Sequence, residues 1–280
     1  MDDLNKQPVQ SKSLQNEIRA LNEVAWELRS LQPDRARSLA QQALELLQST
    51  ESLDAAGREE RAASLVVLGF VNKDEGKLEI AFAQIHEALG LLKNLPPTKT
   101  ACNARFVIAW AYIHLGDYSP ALEYAVQART LARDLGLKNN EALALNTEAY
   151  IYYLSADPNE ALKNFDKALR IVVETGDLYS QCFILNNMAL ALMAVGKYES
   201  ALARGEESLR LAREQSLFNQ ELNVVDTIAQ VLLDMGNYPE AERYLKQALS
   251  DNEKQEPDIL QVYLLSNLGK AYLGQRDFAL

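Results

Sequence analysis

The chain has 280 residues, 48% hydrophobic and 24% charged, with a formal net charge of −11. That composition supplies a substantial core and excludes collagen-like, cysteine-stapled and wholly disordered chains, while the acidic balance argues against bulk nucleic-acid binding. Cys102 and Cys182 show neither metal-ligand spacing nor a disulfide framework, the polar start lacks the apolar run of a secretory leader, and no apolar run is long enough to span a membrane. A cytoplasmic protein with no cofactor, no nucleic acid and no membrane partner is expected.

In chain order, residues 1–13 are expected to be a flexible segment and 14–280 an array of helices. The first pair, about 14–30 and 34–49, is the least regular: its small residues Ala25 and Ala36 are spaced 11 apart, not 12. An insertion around Ser52–Arg58 delays the second pair, 58–73 and 77–93. The third, 99–115 and 119–135, shows Ala101, Ala104, Ile108 and Ala111, then Ala121, Ala125, Ala128 and Ala132, at helical spacing. Gly136 stops that second helix. The fourth pair spans 139–154 and 158–174, and Asp157-Pro158-Asn159-Glu160 supplies an N-cap, a first-turn proline and a carboxylate. The fifth covers 179–194 and 198–215, the sixth 218–234 and 238–251, and one helix, 257–273, follows unpaired.

These elements repeat with a fixed period. Small residues stand at Gly69, Ala109, Ala149, Ala189, Ala229 and Gly269, each step being 40 residues. Ala81, Ala121, Ala161, Ala201 and Ala241 form a second column, and Ala88, Ala128, Ala168, Ser208 and Ala248 a third. Turns carry Gly76, Gly116, Ala156, Gly196 and Gly236 in the same register. Several aligned columns at one period define a repeat protein whose small residues let paired helices approach closely.

Leu268-Gly269 with Tyr272, Ala109 with Tyr112, Gly116-Asp117-Tyr118 with Ala121, and Ala161-Phe165-Ala168 together resemble the tetratricopeptide repeat family. The resemblance covers nearly all the chain after residue 14, although the family's commonest repeat is shorter, and the longer type is similar to solenoids of bacterial signalling and regulatory proteins. It implies an all-α, right-handed superhelical solenoid of about six helix pairs, with the first helix of each pair lining a concave face. It also implies a non-catalytic module that binds a peptide or protein in that groove. A self-associating scaffold is the alternative, with an unrecognised enzyme a distant third.

On that face the column after each small marker reads Phe70, Trp110, Tyr150, Leu190, Gln230 and Lys270. The column three before it reads Val66, Phe106, Asn146, Asn186, Asp226 and Ser266, and the column four after it includes Tyr153. The expected partner-binding residues are therefore Phe70, Phe106, Trp110, Tyr150, Tyr153, Asn146, Asn186, Asp226 and Gln230. Asparagine amides can bond an extended backbone and aromatic rings can anchor apolar side chains. The competing reading is that the aromatics pack between repeats.

The basic pair with which family members clamp acidic chain ends has no counterpart beside Asn187, Asn223 and Thr227. No catalytic, metal or cofactor residues are expected: His86 and His114 lie on different helices, the carboxylates fall on solvated faces, and no phosphate loop or nucleophile elbow occurs. The repeat register would begin another second helix near residue 281, so the last repeat is expected to be truncated, with an effector domain following in the parent chain or a homodimer covering the last helix.

Overall fold

A computed structural model describes residues 7–48, 53–251 and 259–275. Among them are thirteen α-helices and no strand: α1 (Gln7–Leu28), α2 (Pro33–Gln48), α3 (Ala55–Asp74), α4 (Leu78–Leu92), α5 (Lys99–Leu115), α6 (Tyr118–Asp134), α7 (Lys138–Leu154), α8 (Pro158–Thr175), α9 (Leu178–Ala194), α10 (Tyr198–Glu214), α11 (Phe218–Asp234), α12 (Tyr238–Asp251) and α13 (Ile259–Gln275). The all-α array of helix pairs expected from the columns is therefore present. None of these helices is long and apolar enough to cross a membrane. The helix α1 begins at Gln7, inside the segment 1–13 set apart by its polarity, while residues 1–6 and 276–280 lie outside the described residues.

Two compact units divide the chain, residues 1–147 and 148–280. Within the first, α1, α3 and α5 touch in sequence, and α3 also packs on α2 and α4. Within the second, α9, α11 and α13 form the corresponding layer, with α10 and α12 packed against it. These positions explain the apolar patterning. First helices such as α9 and α11 meet neighbours on several sides and bury residues around most of their circumference. Second helices bury a single stripe, as in α6, where Ala121, Ala125, Ala128 and Ala132 are buried and the opposite face is solvated.

The small columns sit at helix crossings. Ala81, Ala121, Ala161, Ala201 and Ala241 are all fully buried. At Gly69 the approach is close: a Cβ there would lie 2.5 Å from Ile85 Cδ1 on α4. The turn column has a conformational cause. Gly76, Gly116, Gly196 and Gly236 take φ of 73–75°, and each following amide bonds back to the helix, as Asp117 does to the Tyr112 carbonyl at 3.0 Å. Asp157 caps α8 through the Glu160 amide at 3.1 Å, with Pro158 at the first helical position.

Candidate functional site

In the first unit the last turns of α1, α3 and α5 bring together Trp26, Phe70 and Trp110. Phe70 is 7% exposed and meets Trp26 edge-on, with ring centroids 6.2 Å apart. The chain's own cations occupy these rings. The Arg29 guanidinium lies 3.9 Å from the Trp26 centroid and 5.2 Å from Phe70. The Lys73 ammonium is 4.6 Å from Phe70 and 5.9 Å from Trp110, and pairs with Asp74. Burial pulls the Lys73 pKa below the usual lysine range, against the attraction of Asp74. Phe106 packs edge-on to Trp110 at 6.5 Å, and the Trp110 indole N–H donates to Thr147 Oγ1 at 3.1 Å. Asn146 is buried on α7. The rings of Phe70, Phe106 and Trp110 are thus engaged by side chains of the same unit.

Earlier on the same three helices lies a cleft of about 510 Å³, of whose lining the repeat columns held Val66. Trp26, Val24 and Val66 form apolar walls. Its floor is a closed polar network: Asn22 Nδ2 donates to the Glu60 carbonyl at 2.9 Å, Ser64 Oγ donates to Asn22 Oδ1 at 2.7 Å, and Arg19 Nε donates to Glu60 Oε1 at 2.9 Å. Glu23, Glu27, Glu59 and Lys99 also line the cleft. The irregular spacing of the first repeat hides Arg19, Asn22, Glu23 and Trp26 of α1 from the repeat columns.

In the second unit Tyr150 and Tyr153 lie 6.0 Å apart, and burial raises the Tyr153 hydroxyl pKa. Asn186 of α9 is 8% exposed, and its buried Oδ1 has no hydrogen-bond partner among the described residues. One column-step later, Asp226 of α11 is satisfied internally: Gln230 Nε2 donates to it at 2.5 Å and Asn267 Nδ2 at 2.6 Å, while Lys270 Nζ donates to Asn267 Oδ1 at 2.8 Å. Burial nevertheless pushes the Asp226 pKa up. Column counting named Asp226 and Gln230 but passed over Asn267, which falls in the adjacent column with Thr147, Asn187 and Thr227.

The groups with reactive chemistry have packing environments. His86 stacks on Phe82 at 6.2 Å. Burial pushes the Cys102 thiol up to about 11, and Cys182, also raised by burial, contacts the Ser208 hydroxyl at 3.3 Å. Thiols held neutral in this way are poor nucleophiles.

Tetratricopeptide-repeat family models match residues 140–214 and 224–254. These two segments belong to the tetratricopeptide-repeat family. No curated protein matches the chain. Among solved structures it is similar to a Rap protein complexed with Competence and Sporulation Factor, at 15% identity and a TM-score of 0.68, covering 94% of this chain and 84% of the other. It is also similar to NprR in complex with its cognate peptide NprX, at 13% identity and a TM-score of 0.66, covering 95% and 75%. A third likeness is aspartyl phosphate phosphatase F from Bacillus subtilis, at 13% identity and a TM-score of 0.64, covering 94% and 80%. These likenesses establish a shared fold for the tetratricopeptide-repeat chain.

Proposed function

We propose that this tetratricopeptide-repeat protein is a non-catalytic peptide- or protein-binding module with a regulatory or sensory role in bacterial signalling. The observation that carries the reading is Asn186: a buried amide oxygen without a partner among the described residues costs free energy in the unliganded chain, and an N–H donor from a ligand that displaces its covering side chains would recover it. Tyr150 and Tyr153 in the same unit supply half-buried rings for an apolar side chain. In the first unit the cleft beside Trp26 offers a second concavity, where Glu23, Glu27, Glu59 and Glu60 outnumber Arg19 and Lys99 and so favour neutral or basic ligand groups. The co-structure of NprR with its peptide supports the same reading by analogy of fold.

The test separates stability from binding. Asn186→Leu removes the orphaned oxygen at nearly constant size, so it should raise folding stability by about 1 kcal/mol. The same change should abolish capture of peptides that the unaltered chain selects from an array. A stabilised variant with unchanged peptide selection would refute the assignment of Asn186.

A second reading, self-association as a scaffold, rests on α13. Val262 and Leu265 are 54% and 55% exposed, whereas Leu222 and Val225, one period earlier, are buried. Light scattering that reports a monomer at all concentrations would remove this reading.

A further inference from the structure

The turns between repeats form a column of their own. Gly136, Gly176 and Ser216 take φ of 68°, 71° and 54°. The next amide then bonds back into the preceding helix: Leu137 to the Ala132 carbonyl at 2.8 Å, Asp177 to Val172 at 3.0 Å, Leu217 to Ala212 at 2.8 Å. One period before Gly136 and Leu137 the sequence places Pro96 and Pro97. Proline holds φ near about −65° and has no N–H, so neither the left-handed residue nor the returning bond can form there. The α4–α5 connection runs instead from Lys93 to Thr98, against Leu135 to Leu137 between α6 and α7.

Beside that altered connection lies a cleft of about 370 Å³, between α4, α5 and α6, that shares no lining residue with the one beside Trp26. Its walls are Leu89, Leu92, Leu95, Leu131 and Tyr124. Tyr124 is stacked on Tyr112 at 5.9 Å, which fixes its ring. Among the described residues the charged lining consists of Lys93 and Arg105, with no carboxylate, in a chain whose net charge is −11. Arg105 uses Nη1 on the Ala101 carbonyl at 2.9 Å, leaving further N–H groups of its five-donor fork for another acceptor. Predominantly apolar walls, a few convergent polar groups and this volume are the attributes of a small-molecule site.

We propose that this cleft binds a small aliphatic monocarboxylate, its alkyl chain among the leucines and its carboxylate on Arg105 with Lys93 beside it. The leucine and proline lining favours an alkyl body, and two cations against an acidic whole favour a single negative charge over a polyanion. The site is separate from the peptide-binding reading and stands or falls without it.

Calorimetry of the full chain with decanoate, kept below its micelle concentration, tests the proposal against decanol as an uncharged match. Decanoate should saturate one site with a negative heat-capacity change and bind about tenfold more tightly than decanol, the scale of a charge-assisted hydrogen bond. Arg105→Gln should weaken decanoate about tenfold and leave decanol unchanged. Lys93→Gln, at an exposed position, provides the same comparison with a smaller loss if Arg105→Gln fails the circular-dichroism check for folding. Equal binding of acid and alcohol, absence of saturation, or indifference to these variants would overturn the proposal. So would tighter, Arg105-dependent binding of a peptide with an apolar C-terminus, which would assign the cleft to a chain end.

Discussion

Ala156 and Ser216 sit at left-handed turn positions, with φ of 61° and 54°, the conformation that Gly76, Gly116, Gly196 and Gly236 take in the column of Ala156 and Gly136 and Gly176 in the column of Ser216. A Cβ is strained in that region by about 1 kcal/mol, more than the chain entropy a glycine adds to the unfolded state. Ala156→Gly and Ser216→Gly should therefore each raise the urea midpoint, by a few tenths to 1 kcal/mol in stability. Lys73 presents the opposite case of a charge held in place at a cost. Its pKa is lowered chiefly by burial, so between its folded value and the ordinary lysine value the unfolded chain binds more protons than the folded one. Stability should rise with pH through that window and fall as pH drops through the folded pKa. Lys73→Met, which keeps length and contact with the rings, should flatten that alkaline slope and stabilise the neutral-pH fold by about 1 kcal/mol. A variant that keeps the slope would show that Lys73 is not its source.

At the scale of elements, the α3–α4 crossing depends on Gly69. An added Cβ would meet Ile85 Cδ1 at 2.5 Å and Cγ1 at 2.8 Å, so Gly69→Ala should cost about 1–3 kcal/mol in denaturant unfolding. Ile85→Val removes the nearer atom and should recover part of that loss in a double-mutant cycle; additive losses would mean the two side chains do not meet. The helices themselves were largely legible beforehand. Alanine and leucine spacing located α5, α9, α11 and α12 to within a residue or two, because buried stripes on helices have a fixed period. The start of α1 was not legible: residues 7–13 are polar and carry no apolar period, yet the helix extends through them.

At the scale of the molecule, each unit carries its own cores, including one around Phe70 and Ile85 in the first and one around Ile228 and Leu245 in the second. Repeat arrays are stabilised by nearest-neighbour contacts, so damage should stay local. Leu245→Ala, at a fully buried position, should cost about 2–5 kcal/mol and lower hydrogen-exchange protection in α11, α12 and α13. Protection in α3–α6 should be unchanged. A uniform loss along the chain would instead indicate one cooperative unfolding unit.

The sequence by itself determined the helical class, the period and the turn positions, since these follow from local spacing and from the conformational freedom of glycine. It also singled out Phe70, Trp110, Asn186 and Asp226 by their place in the repeat columns. Which of those groups is engaged was decided only by tertiary structure, because hydrogen bonds and cation–ring contacts join residues a full period apart. Asp226 is bonded to Asn267, Phe70 and Trp110 lie under Arg29 and Lys73, and Asn186 keeps an oxygen without a partner among the described residues. The net charge of −11 could not reveal the cleft where, among the described residues, only Lys93 and Arg105 are charged, since a sum over the chain carries no position.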